Sequence, residues 1–331
     1  MLVLGVETSC DETAASVVKN GSEILSNIIL SQEIHSDYGG VVPELASRIH
    51  ITEIVRIVEK ALAKANVGLD DLDGMAVTHG PGLVGCLLVG LSFIKSVSQT
   101  KKIPFIGVNH LEGHIFAAKL NYPEISTPHI ALVASGGHSN LYLVKDWGDY
   151  VLLGSTRDDA PGEAFDKISK LLKLGYPGGP AIEKIAAAGD PKFIDFPRAM
   201  KGSRNFEFSF SGLKTAVLVY LHDKSPDFIV EHIPDIAASF QEAVAEVLAV
   251  KTINAAKAHN INQISIGGGV ARNQRLREIF DERKPNRTDV FLPSPDLCSD
   301  NGAMIAACGT FYLKNDIRSD ISLNAVPYLE L

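Results

Sequence analysis

The sequence predicts an α/β protein made of two like halves, and three observations carry that prediction. Leu2–Val18 reads as an apolar strand, a small acidic turn and a returning strand, and Ile130–Val144 repeats that order. Asp73–Thr100 reads as a strand, a glycine-rich turn and a helix, and the run from Gln263 to Asn273 repeats its opening. The likeness lies in element order, not in residue identity, as in a duplicated fold. Third, 331 residues of which 46% are hydrophobic are enough for two ordinary domains or one large one, with a sizeable core.

In the first half, Leu2–Val6 runs into Glu7-Thr8-Ser9-Cys10-Asp11-Glu12-Thr13 before Ala14–Val18 returns. A turn of this composition presents backbone N–H groups and short hydroxyls to an anion. Ser and Thr are also ordinary turn residues in any hairpin. His35–Arg48 holds two glycines and a proline and reads as a structured loop leading to a helix. Ile51, Ile54, Val55, Val58, Leu62 and Ala65 fall at helical spacing and predict that helix, ending near Gly68. Its apolar face is either core or a partner surface. Asp73–Thr78 is a strand, His79–Gly85 a turn that lets the backbone approach something closely, and Leu87–Thr100 a buried helix.

After the strand Ile103–Val108 come two imidazoles, His110 and His114. If Glu112–Leu120 begins a helix, they share one face. That geometry suits a metal, and it also occurs in plain polar pairs on helix surfaces.

In the second half, the strand from Ile130 ends in Ser135-Gly136-Gly137-His138 and returns through Leu141–Val144. Asp158–Lys167 opens a helix through Leu174, and Tyr176–Pro180 starts the next, with proline suited to the first turn. Ile236, Phe240, Val244 and Val247 define another helix, and Leu297–Met304 is the capped start of the last. Arg198, Lys201, Arg204 and Lys214 interleave with Phe196, Phe206, Phe208 and Phe210. Such a mix binds nucleic acid, or else pairs core aromatics with solvated cations.

A net charge of −8 argues against gross attraction to nucleic acid and leaves room for a local basic face. The four cysteines form no C-x-x-C pair, so neither a disulfide framework nor a thiolate zinc cluster is signalled. The start of the chain has no charged segment with a cleavage site. The longest uncharged stretch, Gly74–Ile94, is broken by Thr78-His79-Gly80-Pro81-Gly82 and reads as a buried turn, not a membrane span. A cytoplasmic protein without membrane attachment is expected.

Nine stretches occur together in order: Gly5–Thr13, His35–Arg48, His110–His114, Ser135–His138, Gly162–Lys167, Tyr176–Pro180, Phe208–Thr215, Gly267–Asn273 and Asp300–Ala306. In that combination the chain resembles the bacterial TsaD family, the tRNA threonylcarbamoyl transferases, from Leu2 to about Gly309. His35–Arg48 is similar to the bacterial and mitochondrial branch. The resemblance implies an actin-like, sugar-kinase-like fold of two RNase-H-like lobes around a cleft, here 1–125 plus 300–331 and 126–299. It implies transfer of a threonylcarbamoyl group from threonylcarbamoyl-AMP to N6 of adenosine 37 in tRNAs reading codons that begin with A. It implies one divalent metal, iron or zinc, on His110, His114 and Asp300. It carries adenine-nucleotide contacts to Val133, Ala134, Ser135, Gly136, Gly137, Asp166, Gly179, Glu183 and Asn273. Position 134 is Ala where many members have Ser or Val, and Glu183 stands where some members place an aspartate. Implied partners are tRNA, TsaB through the helix Ile51–Ala65, the ATPase TsaE, and a TsaC-type synthase as source of the donor. Asp11 and Glu12 are candidate general bases, because the first turn is expected to face the cleft.

The physics fits these roles. Two His and one Asp leave positions open for substrate. Ser-Gly-Gly offers N–H donors without side-chain obstruction. A carboxylate such as Asp166 accepts from ribose hydroxyls. Three rivals fit less well. His110-Leu111-Glu112-Gly113-His114 places its Glu where neither metalloprotease motif has it. A kinase needs an acidic residue that Ser135-Gly136-Gly137-His138 lacks. A non-catalytic scaffold gives no reason to keep all three metal-ligand candidates.

Overall fold

The computed structural model describes residues 1–202 and 205–331, in two compact units: Met1–Glu124 with Ser299–Leu331, and Ile125–Cys298. The first unit is built on β1 (Leu2–Glu7), β2 (Glu12–Lys19), β3 (Glu23–Ser31), β4 (Gly74–Gly80) and β5 (Phe105–Asn109). They line up as β3-β2-β1-β4-β5. β1 runs antiparallel to β2 and parallel to β4, with Val6 opposite Ala15 and Val77. The helices are α1 (Pro43–Ala65), α2 (Val84–Lys101) and α3 (His110–Asn121).

The second unit repeats the plan. Its strands are β6 (His129–Ala134), β7 (Ser139–Asp146), β8 (Asp149–Ser155), β9 (Gln263–Gly267) and β10 (Asp289–Phe291), ordered β10-β9-β6-β7-β8. Counted from its own first strand, this is the order of the first sheet, again with an antiparallel return and a parallel neighbour. Its helices are α4 (Pro161–Leu171), α5 (Gly178–Ala186), α6 (Ser211–His222), α7 (Pro226–Ala258), α8 (Gln274–Arg283) and the short α9 (Pro295–Cys298). The last helix, α10 (Gly302–Lys314), belongs to the first unit. A Cβ on Gly5 would fall 2.2 Å from the Gly302 carbonyl oxygen, so α10 lies directly against β1 and only glycine fits there.

Each sheet has its own core. Leu4, Val6, Val17, Met75, Val77, Leu91 and Ile94 fill the first, and Ile130, Leu132, Phe165, Phe208, Phe240 and Ile264 fill the second. All four cysteines are free thiols, as the sequence implies. Among the described residues no helix is long and apolar enough to cross a membrane.

The structure departs from the sequence reading in four places. α1 begins at Pro43, eight residues before Ile51, because proline is favourable in a first helical turn. The preceding loop holds a short 3₁₀ turn, Glu33–Tyr38, around the buried His35. β3 and β8 were not expected: both lie at sheet edges and are mostly half-buried, so neither alternates cleanly. α6 was hidden by the mixture of phenylalanines and cations before it.

Candidate functional site

At the end of β5, Asn109 caps α3, its side chain accepting from Leu111 N–H at 2.8 Å. The helix therefore starts at His110, and His114 follows one turn later on the same face. Their ring centroids are 4.7 Å apart and nearly perpendicular. Asp300 arrives from the start of α10, whose own cap is Asn301, accepting from Met304 N–H at 3.0 Å. Gly113 lets the two helices approach, since a Cβ there would come 2.8 Å from Ile305.

The result is a cluster in which one ligand atom from each of His110, His114 and Asp300 lies within 4.8 Å of the others. His110 Nε2 is 3.6 Å and His114 Nε2 3.2 Å from Asp300 Oδ1. His114 is fully buried, its Nε2 turned to Asp300 and its Nδ1 without a hydrogen-bond partner. Two buried imidazoles and a carboxylate converging on one point fit a divalent metal.

His110 differs from His114 in having a brace. Its Nδ1 faces Glu7 Oε2 at 3.0 Å, with the Ser9 hydroxyl at 3.2 Å. Burial opposes charge on His110, yet Asp300 and Glu7 outweigh it and push its pKa up to about 9. Burial holds His114 below its ordinary value. Burial would also raise Glu7, but the charge and hydrogen bond of His110 keep its carboxyl below the usual range. Glu112 is occupied elsewhere: the Tyr312 hydroxyl donates to it at 2.6 Å. The protease reading thus finds no base in this motif.

Asp11 and Glu12 stand in the turn between β1 and β2. Burial, then the neighbouring charges of Asp300 and Asp11, push the Glu12 carboxyl well above its usual range. The turn is held by His50, whose Nε2 donates to the Cys10 carbonyl and whose Nδ1 accepts from the Thr13 hydroxyl, each at 2.8 Å. Glu7 and His50 were both missed as site residues. The sequence places Glu7 in an anion-presenting turn, and nothing in a single sequence ties His50 to Cys10.

In the second unit, Val133 and Ala134 end β6, and Ser135-Gly136-Gly137 turn the chain into β7. Ser135 N–H closes this turn on the His138 carbonyl at 2.9 Å. Space is open on the Cβ side of Gly136 and Gly137. Gly162 lets the start of α4 reach the turn, its N–H donating to the Ser135 carbonyl at 3.2 Å. One turn along α4, Asp166 accepts from Gly178 N–H at 2.7 Å, which sets its carboxylate at the start of α5. Gly179 and Glu183 lie four residues apart on α5, and Glu183 accepts from Gln274 N–H at 2.5 Å. Asn273 caps α8 and donates to Gln241 at 2.8 Å, so its side chain is engaged within the fold.

Two cations of the expected basic face are paired within the unit. Arg198, Lys201 and Arg283 all contact Glu246, at 2.8, 3.1 and 2.8 Å. Lys214 is half-buried on α6, and Arg204 lies outside the described residues.

Residues 23–307 match the family described as TsaD, tRNA N6-adenosine threonylcarbamoyltransferase. The chain is 52% identical to the tRNA N6-adenosine threonylcarbamoyltransferase of Caldicellulosiruptor bescii, over 100% of this chain and 98% of that one. It is 52% identical to the enzyme of the same name from Clostridioides difficile, with the same coverage. Component A of (R)-2-hydroxyglutaryl-CoA dehydratase from Acidaminococcus fermentans superposes with a TM-score of 0.59 at 14% identity, covering 95% of this chain and 99% of that one. The activator of 2-hydroxyisocaproyl-CoA dehydratase from Clostridium difficile gives 0.56 at 16% identity, covering 96% and 97%. At such identity these two likenesses speak for the fold alone, which is actin-like. On sequence, the chain belongs to the TsaD family of tRNA N6-adenosine threonylcarbamoyltransferases.

Proposed function

We propose that this chain transfers the threonylcarbamoyl group from threonylcarbamoyl-AMP to N6 of adenosine 37 in tRNAs reading ANN codons. The observation that carries the reading is the His110–His114–Asp300 cluster in a chain 52% identical to named enzymes of this activity along its full length. In the reaction the carbamoyl carbon is the electrophile and AMP leaves. The exocyclic amine of adenosine is a weak nucleophile, because its lone pair is delocalised into the ring. Catalysis therefore rests on positioning and on stabilising charge at the carbamoyl oxygen and the departing phosphate.

The two units divide this work. In the first, His110, His114 and Asp300 would hold a divalent iron or zinc, which as a Lewis acid would grip the threonyl part of the donor. Asp11 and Glu12 are the candidates for taking the proton from N6, and burial beside other acids makes the Glu12 carboxylate the more basic. In the second, the Gly136–Gly137 backbone supplies N–H groups to the phosphate, and Asp166 accepts from the ribose, with Gly179, Glu183 and Asn273 around the nucleoside.

Support for a complex with TsaB comes from α1, which exposes Ile51 and Val55 to 63% and 51%. TsaE would reset the cycle, and a TsaC-type synthase would supply the donor, all in the cytoplasm. Adding cognate TsaB should raise the light-scattering mass, and a constant mass would remove that partner. The central test supplies synthetic threonylcarbamoyl-AMP, tRNA and the partner proteins. Nucleoside analysis should show modified adenosine with wild-type protein and little with Asp300→Ala. Unmodified tRNA with the wild type, alongside peptide cleavage or phosphorylation of a small molecule, would overturn the reading.

A further inference from the structure

Glu7 is a buried carboxylate on the central strand of the first unit, and its oxygens meet three donors. Oε1 accepts from Ser9 N–H at 2.5 Å. Oε2 accepts from the Thr78 hydroxyl at 2.5 Å and faces His110 Nδ1 at 3.0 Å. The acceptor character of Oε2 places the imidazole proton on Nδ1. Nε2, on the opposite side of the ring, is then the nitrogen turned to the cluster, 3.6 Å from Asp300 Oδ1. His114 has no such partner on its Nδ1, while its Nε2 lies 3.2 Å from Asp300 Oδ1.

We infer that Glu7 is the positioning residue of the metal centre: it fixes the tautomer and ring orientation of His110 so that Nε2 is presented for ligation. The inference rests on the metal reading given above. The chemistry is general, since a carboxylate on the far nitrogen of a ligating imidazole orients the ring and raises its basicity. Here Thr78 and Ser9 hold the carboxylate in turn, so Glu7 cannot rotate away from His110 without losing both of their bonds. The device is one-sided, with a carboxylate behind His110 Nδ1 and none behind His114 Nδ1.

Cobalt(II), added to metal-free protein in competition with a chelator, tests this. Wild-type protein should take up one cobalt, and Asp300→Ala should lose it. Glu7→Gln, which keeps the shape but sets an NH₂ group against one of the three donors, should bind roughly 10–100-fold more weakly. Thr78→Val, which removes one bond holding the carboxylate but keeps the carboxylate itself, should weaken binding less than Glu7→Gln does. Glu7→Gln binding as tightly as wild type while Asp300→Ala does not would remove Glu7 and leave the metal centre standing. Wild-type protein that takes up no cobalt would overturn both. A second readout needs no variant. In zinc-loaded wild-type protein, nitrogen-resolved NMR of His110 should show a proton on Nδ1 in a strong hydrogen bond and none on Nε2. The opposite tautomer would overturn the assignment.

Discussion

The two units present the same sheet and use the same place on it in opposite ways. In the first, the turn after the leading strand holds side chains: Glu7 and Ser9, buried against His110 of a His₂Asp cluster, and the half-buried Asp11 and Glu12. In the second, the turn in the same position holds backbone: Gly136 and Gly137 have open space where side chains would stand. A duplicated sheet fixes where a turn occurs and leaves its chemistry to a few residues. Side-chain carboxylates and imidazoles suit a cation, and bare backbone amides suit an anion.

The comparison breaks most completely at the metal ligands. Replacing both His110 and His114 with alanine should leave the purified protein without its stoichiometric metal in elemental analysis. Nucleotide binding by the second unit should persist. Wild-type metal content in the double variant would take the cation out of the first unit and with it the contrast.

A smaller, purely structural break comes from the glycines that let helices and turns meet strands. Gly268 has φ +90°, and a Cβ there would lie 2.2 Å from the Ala134 carbonyl oxygen. Gly268→Ala should destabilise by about 3 kcal/mol or more and damage the phosphate turn, while cobalt uptake survives. Gly5→Ala, pushing on Gly302 beside Asp300, should do the reverse. Urea midpoints and cobalt titration of both variants check this. Equal loss of cobalt in the two would mean that the units do not fail separately.

How much of this was legible in the chain varies with range. The duplicated order of elements, the α3 pair and the Ser135–Gly137 turn are local patterns, and they stand where the residues place them. What could not be read was long-range or masked by polar edges. Glu7 meets His110 across 103 residues. Arg198 is drawn to Glu246, 48 residues away, so a cation that reads as part of a basic face is paired within the unit. β3 and β8 are edge strands whose half-burial blurs the period of two.

Within the second unit, Asp166→Ala sharpens the contrast further. Its carboxylate is anchored by Gly178 N–H and is proposed to meet the ribose. Losing one charged acceptor should weaken a non-hydrolysable adenylate by roughly 10–100-fold in calorimetry, about 1.5–3 kcal/mol. Unchanged affinity would take Asp166 out of the site.

The smallest effect concerns charge, and it again sets carboxylate against carboxylate. Glu12 stands among acids and its carboxyl is pushed up. Glu246 stands in the opposite field. Burial alone would raise it, but Arg198, Lys201 and Arg283 outweigh that and lower it from the ordinary 4.5 to about 2. A carboxyl whose folded pKa is depressed stabilises the fold above its unfolded pKa, and that contribution is lost as pH falls through the folded value. Glu246 should therefore support the second unit fully above about pH 5 and progressively less between about pH 4.5 and 2. Allowing for solvent screening, its share is on the order of 1–2 kcal/mol. Glu246→Gln should lower the urea midpoint at pH 7 and lose most of that penalty near pH 3. A penalty of the same size at both pH values would mean that packing, and not the charge of Glu246, is what the three cations hold in place.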